Sequence, residues 1–169
     1  MYSLNVPVPG EVGRLASQLA RDLPAARART RDEHTLVVKR LGTGDRGTLQ
    51  RVRPAVREAL AGSPAFEARV AEVDYFAEAA DGPSPVVYLP VESPQLRRLH
   101  DRLCDVTDPI EDIEGEAYVP HVTVARGGSE EAARRLADRA IEPVTWTVSE
   151  LAFWDAERGV SAGELSLPA

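Results

Sequence analysis

The 169-residue chain has a single cysteine, a single methionine, one lysine and three histidines, and aromatic residues make up only 5% of it. With Cys104 alone, no internal disulfide can form and no cysteine-based zinc site can be assembled from one chain. On the helical-looking stretch "PQLRRLHDRLCDV", Cys104 is expected to be a small packing residue. No apolar run approaches the roughly 18 to 20 residues that span a bilayer. The first residues also lack the basic-then-apolar pattern of a secretion signal. A soluble, cytoplasmic protein with no membrane partner is therefore expected. Positive charge is short as well: 27 acidic residues outweigh 20 basic ones, for a net charge of −7. That balance argues against coating long nucleic acid by non-specific charge, and leaves room for a local basic cleft that takes a nucleotide or an RNA end.

What is present is an ordinary globular mixture, 43% hydrophobic and 28% charged. The length suits one domain, and a monomer is expected. Strand, helix, histidine-bearing strand, helix, strand is the order read along "MYSLNVPVPG", "EVGRLASQLARDL", "HTLVVKRLG", "TLQRVRPAVREALAG" and "FEARVAEVDYFAEA". Pro54 must start or kink the second of these helices. After the loop "ADGPSPV" the order repeats in "VVYLPVESP", the helix opened by Ser93 and Pro94, "YVPHVTVARG", "SEEAARRLADRAI" and "TWTVSELAFWDAERG", with "GELSLPA" as a hairpin partner. The closing strands look alike, "VAEVDYF" against "VSELAFW". The expected fold is α+β: a single domain of two pseudo-symmetric lobes, about 1–82 and 83–169, with antiparallel sheets lining a central cleft and helices outside.

Such a duplication sets His34 and His121 on corresponding strands, facing each other across the cleft. Two imidazoles so placed suit in-line displacement at phosphorus, one taking a proton from the attacking oxygen and the other giving one to the leaving oxygen. No metal or cofactor enters that scheme, and a bell-shaped pH profile follows from it. Thr123 shares a strand face with His121 and can donate to a non-bridging phosphate oxygen.

The segment "PHVTVARG", 120–127, resembles the second His-x-Thr-x motif of the 2H phosphoesterase superfamily, which includes 2'-5' RNA ligase-like proteins and RNA 2',3'-cyclic phosphodiesterases. The N-terminal strand and helix, "KRLG" after the first histidine strand and "VSELAFWD" near the end resemble the same layout. The resemblance implies a bilobal fold and hydrolysis of a nucleotide or RNA-end phosphodiester, commonly a 2',3'-cyclic phosphate opened to a 2'-phosphate. His34 and His121 would be its acid/base pair.

The first motif departs from that pattern, because it reads His34, Thr35, Leu36, Val37. On an unbroken strand Leu36 and Arg40 share the face of His34, and Thr35 faces away. Four readings stand open. A β-bulge swings Thr35 back to bind phosphate, Arg40 replaces the missing hydroxyl, the lobe is less active, or Thr35 occupies the family histidine's position and His34 is incidental. Arg126 alternates away from Thr123 on an ideal strand, although the resemblance places an arginine near the phosphate. Tyr118 is a candidate for stacking on a base or for packing. His100 is expected at a helix boundary with a local hydrogen bond, Trp146 and Trp154 in packing, and "PIEDIEGE", 109–116, in a solvated loop. Against the enzyme stand two alternatives: a degenerate phosphate-binding module without turnover, and a cyclic phosphodiesterase of a small molecule.

Overall fold

Periodicity alone places the elements well. A computed structural model describes residues 1–30, 33–44 and 46–168. Strand β1 (Tyr2–Val6) leads into α1 (Gly10–Ala20), and the short β2 (Arg27–Ala28) precedes β3 (Leu36–Gly42). Helix α2 (Arg46–Leu60) continues through Pro54, so the proline does not start it. Strands β4 (Phe66–Val70) and β5 (Asp74–Phe76) divide the β-rich stretch in two, and β6 (Val86–Pro90) opens the second half. Helix α3 (Pro94–Cys104) begins as its sequence dictates, with Pro94 in the first turn and the Ser93 hydroxyl accepting from the Leu96 amide. Strand β7 (His121–Arg126), helix α4 (Glu130–Ala137, capped by Ser129) and strands β8 (Val144–Val148), β9 (Glu150–Asp155) and β10 (Val160–Ser166) complete the chain.

The strands form antiparallel sheets, as expected, in a two-lobe arrangement. One sheet has the order β10-β9-β1-β3, the other β2-β7-β6-β5, and β4 pairs with β8. The halves exchange parts: β9 from the second half flanks β1, and β5 from the first half flanks β6. Helix α1 packs on β7, whereas α3 packs on β3 beside α2. Sheet membership thus does not follow a division of the chain at 82/83. Leu4, Leu36, Val38, Leu89, Leu99, Val122, Leu151 and Phe153 are among the residues sealed in the shared core.

Two bulges decide which side chains leave that core. Leu4 is opposite Lys39 and Asn5 opposite Val37, so Val38 is an extra residue in β3. Val87 is opposite Ala125 and Tyr88 opposite Thr123, so Val124 is an extra residue in β7. Each bulge buries two consecutive residues, Val38 with Lys39 and Val124 with Ala125. Alternation then resumes out of phase. Arg40 therefore joins the face of Thr35 and Val37, not that of His34, and Arg126 joins the face of His121 and Thr123. This corrects the unbroken-strand reading of both arginines.

The buried Lys39 ammonium is 2.6 Å from the Glu114 carboxylate, and both side chains are all but inaccessible to solvent. Lys39 also donates to the carbonyls of Arg40 and Asp108. Glu114 accepts from the amides of Arg40 and Ile110. The acidic run is solvated over 109–112 and at Glu116, as expected, but its Glu114 is buried and anchors residues 105–117 to β3. His100 is fully buried beside this pair rather than at a boundary. Its Nδ1 donates across the fold to the Val38 carbonyl, and its Nε2 accepts from the Gly115 amide.

Burial holds His100 below its ordinary value of 6.5, against the Val38 hydrogen bond and the Glu114 charge. For Glu114, burial acts upward, but Lys39 and the two amides outweigh it and hold the carboxyl below 4.5. In both cases the folded chain binds fewer protons than the unfolded one. Each contribution is therefore present above the unfolded pKa and lost as pH falls through the folded one. Urea midpoints are expected to fall in two stages, first below about pH 6.5 and again below about 4.5. Lys39→Met strands a buried carboxylate and is expected to cost roughly 3–5 kcal/mol in urea titration. The Lys39→Met/Glu114→Leu double variant recovers only part of this, because two amides lose their acceptor.

Candidate functional site

Between β3 and β7 lies a cleft of ≈ 490 Å³ lined by Thr35, just before β3, with Val37 and Arg40 of that strand, and by His121, Thr123 and Arg126 of β7. In each strand the lining residues stand at the same offsets around the bulge. Thr35 therefore corresponds to His121, Val37 to Thr123 and Arg40 to Arg126. The fourth reading of the first motif is the one the backbone supports, because Thr35 occupies the position that a histidine holds in β7.

His34 does not reach the cleft. It is buried, and a Cβ built on Gly13 of α1 would be 3.6 Å from its Nδ1, so the ring faces that helix. The physical reason is the period of two: the bulge lies beyond Val37, too late to bring His34 and Thr35 onto a common face. Of the residues singled out in the sequence, Thr35, Arg40, Tyr118, His121, Thr123 and Arg126 come together around one space, and His34 stays outside it.

His121 is oriented by the chain just before it. Its Nδ1 is 2.7 Å from the Val119 carbonyl. A carbonyl only accepts, so Nδ1 carries the proton and Nε2 is the basic nitrogen. Phe76 and Tyr88, stacked on each other at 4.1 Å, meet the imidazole edge-on at 5.6 and 5.3 Å. Burial, then the charges of Arg40 and Arg126, hold its pKa below 6.5, against the Val119 hydrogen bond. A neutral imidazole with a free Nε2 at neutral pH is the form that accepts a proton.

Among the described residues three guanidiniums share the cleft, Arg29, Arg40 and Arg126, with Arg40 3.6 Å from the Glu114 carboxylate. Arg126 donates from one terminal nitrogen to the Asp81 carbonyl, while its buried Nε has no hydrogen-bond partner among the described residues. Its pKa is lowered by burial and by Arg29, with Arg40 adding to the effect. Like charges facing one another in a half-buried cleft form a ready-made receptor for an oxyanion. Arg29, Phe76 and Tyr88 escaped sequence reasoning. Arg29 precedes β3 in a segment with no motif, and the two aromatics on β5 and β6 read only as strand formers.

Tyr118 borders the cleft but is no free platform for a base. Its ring stacks on His100 at 3.9 Å and carries the Arg97 guanidinium, while its hydroxyl donates to the Val37 carbonyl. Cys104 is half-buried, with its sulfur 3.4 Å from His100 Nε2.

A two-lobe α+β fold whose cleft pairs a His-x-Thr strand with a second, equivalent strand defines the 2H layout. Residues 35–160 match the 2'-5' RNA ligase superfamily. The chain belongs to that superfamily. His34 falls just outside the matched residues, and Thr35, His121 and Thr123 fall within them. No curated protein matches the chain in sequence. Among solved structures, TT0787 of Thermus thermophilus is similar with a TM-score of 0.69 and 20% identity, covering 98% of this chain and 97% of that one. E. coli LigT complexed with 3'-AMP has a TM-score of 0.66 at 18% identity, covering 98% and 96%. LigT complexed with phosphate has 0.70 at 16% identity, with the same coverage. At these identities the likeness is one of fold.

In a histidine-selective NMR titration, the His121 ring is expected to show the Nδ1–H tautomer and a midpoint below 6.5. Arg40→Ala removes one of the charges that hold it down and is expected to raise that midpoint. An unchanged midpoint would place Arg40 away from the imidazole.

Proposed function

We propose that the protein is a metal-independent phosphoesterase of the 2H layout that hydrolyses a nucleotide or RNA-end phosphodiester, opening a 2',3'-cyclic phosphate to a 2'-phosphate with a single cleft imidazole. The observation that supports it most is His121, fixed with a basic Nε2 beside Thr123 and three arginines in one cleft. In this reading His121 Nε2 takes a proton from water as the water oxygen bonds to phosphorus. The Thr123 hydroxyl, Arg40 and Arg126 donate to the non-bridging oxygens, where charge develops. The phosphorus–3'-oxygen bond breaks on the opposite side, next to the first strand. There Thr35 offers a hydrogen bond to the leaving oxygen, and its proton is supplied by solvent. Replacing an imidazole by a hydroxyl at that place removes a general acid, which typically contributes on the order of 10²- to 10⁴-fold in rate.

The same Thr35 and Val37 favour a second reading, in which the cleft binds a phosphorylated nucleotide without turning it over. Phosphorus NMR of a 2',3'-cyclic nucleotide incubated with the protein and a chelator separates the two. Slow formation of a 2'-phosphate, lost in His121→Ala and retained per folded molecule in His34→Ala, supports the enzyme. Binding without product supports the second reading.

Thr35→His is expected to raise turnover roughly 10- to 100-fold by supplying the absent imidazole. Because His121 must be neutral to act as base, the wild-type rate is expected to rise with pH through one limb below 6.5 and then to level off. A second, falling limb near neutrality, disappearing in His34→Ala, would return His34 to the mechanism.

A further inference from the structure

The cleft's charges are sorted by depth. Arg29, Arg40 and Arg126 are half-buried, and with Thr35 and Thr123 they form the floor. Among the described residues the carboxylates lining the cleft are Glu78 and Asp81, on the loop after β5, and Asp112, on the segment anchored by Glu114. All three acids are exposed, and none takes part in an ion pair among the described residues. They place carboxylates at the mouth, and Asp81 also acts electrostatically on Arg126. Beside Asp112 the rim is apolar, with Ile110 37% and Val119 39% exposed among the few large hydrophobics open to solvent.

A polynucleotide end must lead its neighbouring phosphates out past that rim, where carboxylates repel them within a Debye length of about 10 Å at 0.1 M salt. A mononucleotide places its one phosphate on the floor and has nothing anionic to lead out. Its base meets Ile110 and Val119 instead. We infer that the acidic mouth over a basic floor selects mononucleotide-sized ligands with one terminal phosphate and disfavours the same end on an RNA chain. This rests on the phosphate-cleft reading above and narrows its substrate class. The net charge of −7 acts in the same direction at longer range.

The test is calorimetric binding of 2'-AMP and of a trinucleotide ending in a 2'-phosphate, at 50 and 300 mM salt, so that turnover is not required. The inference predicts that 2'-AMP binds roughly tenfold more tightly at low salt and that the gap narrows at high salt as the repulsion is screened. In Glu78→Gln/Asp81→Asn/Asp112→Asn the ratio is expected to approach one. The substitutions are at exposed positions, and asparagine tolerates the φ of +65° at residue 112. A trinucleotide that binds as tightly or more tightly, with affinity falling steeply as salt rises, would overturn the inference and leave the phosphate cleft intact. A ratio unaltered in the triple variant would overturn it too. Binding of neither ligand would overturn the phosphate-cleft reading, and this inference with it.

Discussion

The ion pair between Lys39 and Glu114 lies where the site's supports meet. Burying two charges costs several kcal/mol per ion in desolvation, so the attraction within the pair adds little net stability, and what an apolar exchange would lose is the acceptor of the Arg40 and Ile110 amides. What the pair adds is position. The bulge at Val38 turns Lys39 inward and Arg40 out into the cleft, and Glu114 ties the Arg40 amide to the segment that follows α3. Seating that segment lets Tyr118 stack on His100 and reach the Val37 carbonyl, and it delivers the Val119 carbonyl to His121. The tautomer of the one cleft imidazole thus depends on a lysine in the other sheet.

The two central strands use one device twice and differ in chemistry. An extra residue before the arginine in each, Val38 and Val124, brings that arginine round to the cleft three positions after the preceding lining residue. The second strand surrounds its arginine with histidine and threonine, and the first with threonine and valine. In the proposed reading, phosphate binding is therefore two-sided while proton transfer is one-sided. Such an arrangement retains the electrostatic part of phosphoryl chemistry, which acts through position alone, and gives up one acid/base partner.

Much of this was legible in the sequence. Leucine and valine spacing marked the first three helices, Ser129 with the acidic pair after it marked the fourth, Ser93 marked the start of the third, and the repeated order of elements announced the duplication and the antiparallel sheets. His121 and Thr123 were legible because a period of two needs no partner strand to be read. What failed was the register of the first strand. A bulge depends on which residues the neighbouring strand presents, so nothing in "HTLVVKRLG" shows that Val38 is the extra residue. Counting back from the arginine, "TLVVKR" aligns with "HVTVAR", and that alignment was the available signal for Thr35. Glu114 and Lys39 were unreadable for another reason. Burial of a charged residue is decided by a partner 75 positions away, and an acidic loop looks solvated until that partner is known. The exchange of β5 and β9 between the sheets is likewise a long-range choice, although the likeness of their sequences hinted at equivalent places.

The central claim is that the cleft holds one imidazole and that it belongs to His121. Titrating the protein with inorganic phosphate while following the imidazole resonances of all three histidines by NMR tests this directly. His121 is expected to shift with saturation, whereas His34, turned towards α1, and His100, locked between Val38 and Gly115, stay near their starting positions. A His34 resonance that moves in step with His121 would place that ring at the phosphate and contradict the register of β3, in which Thr35 and not His34 faces the cleft.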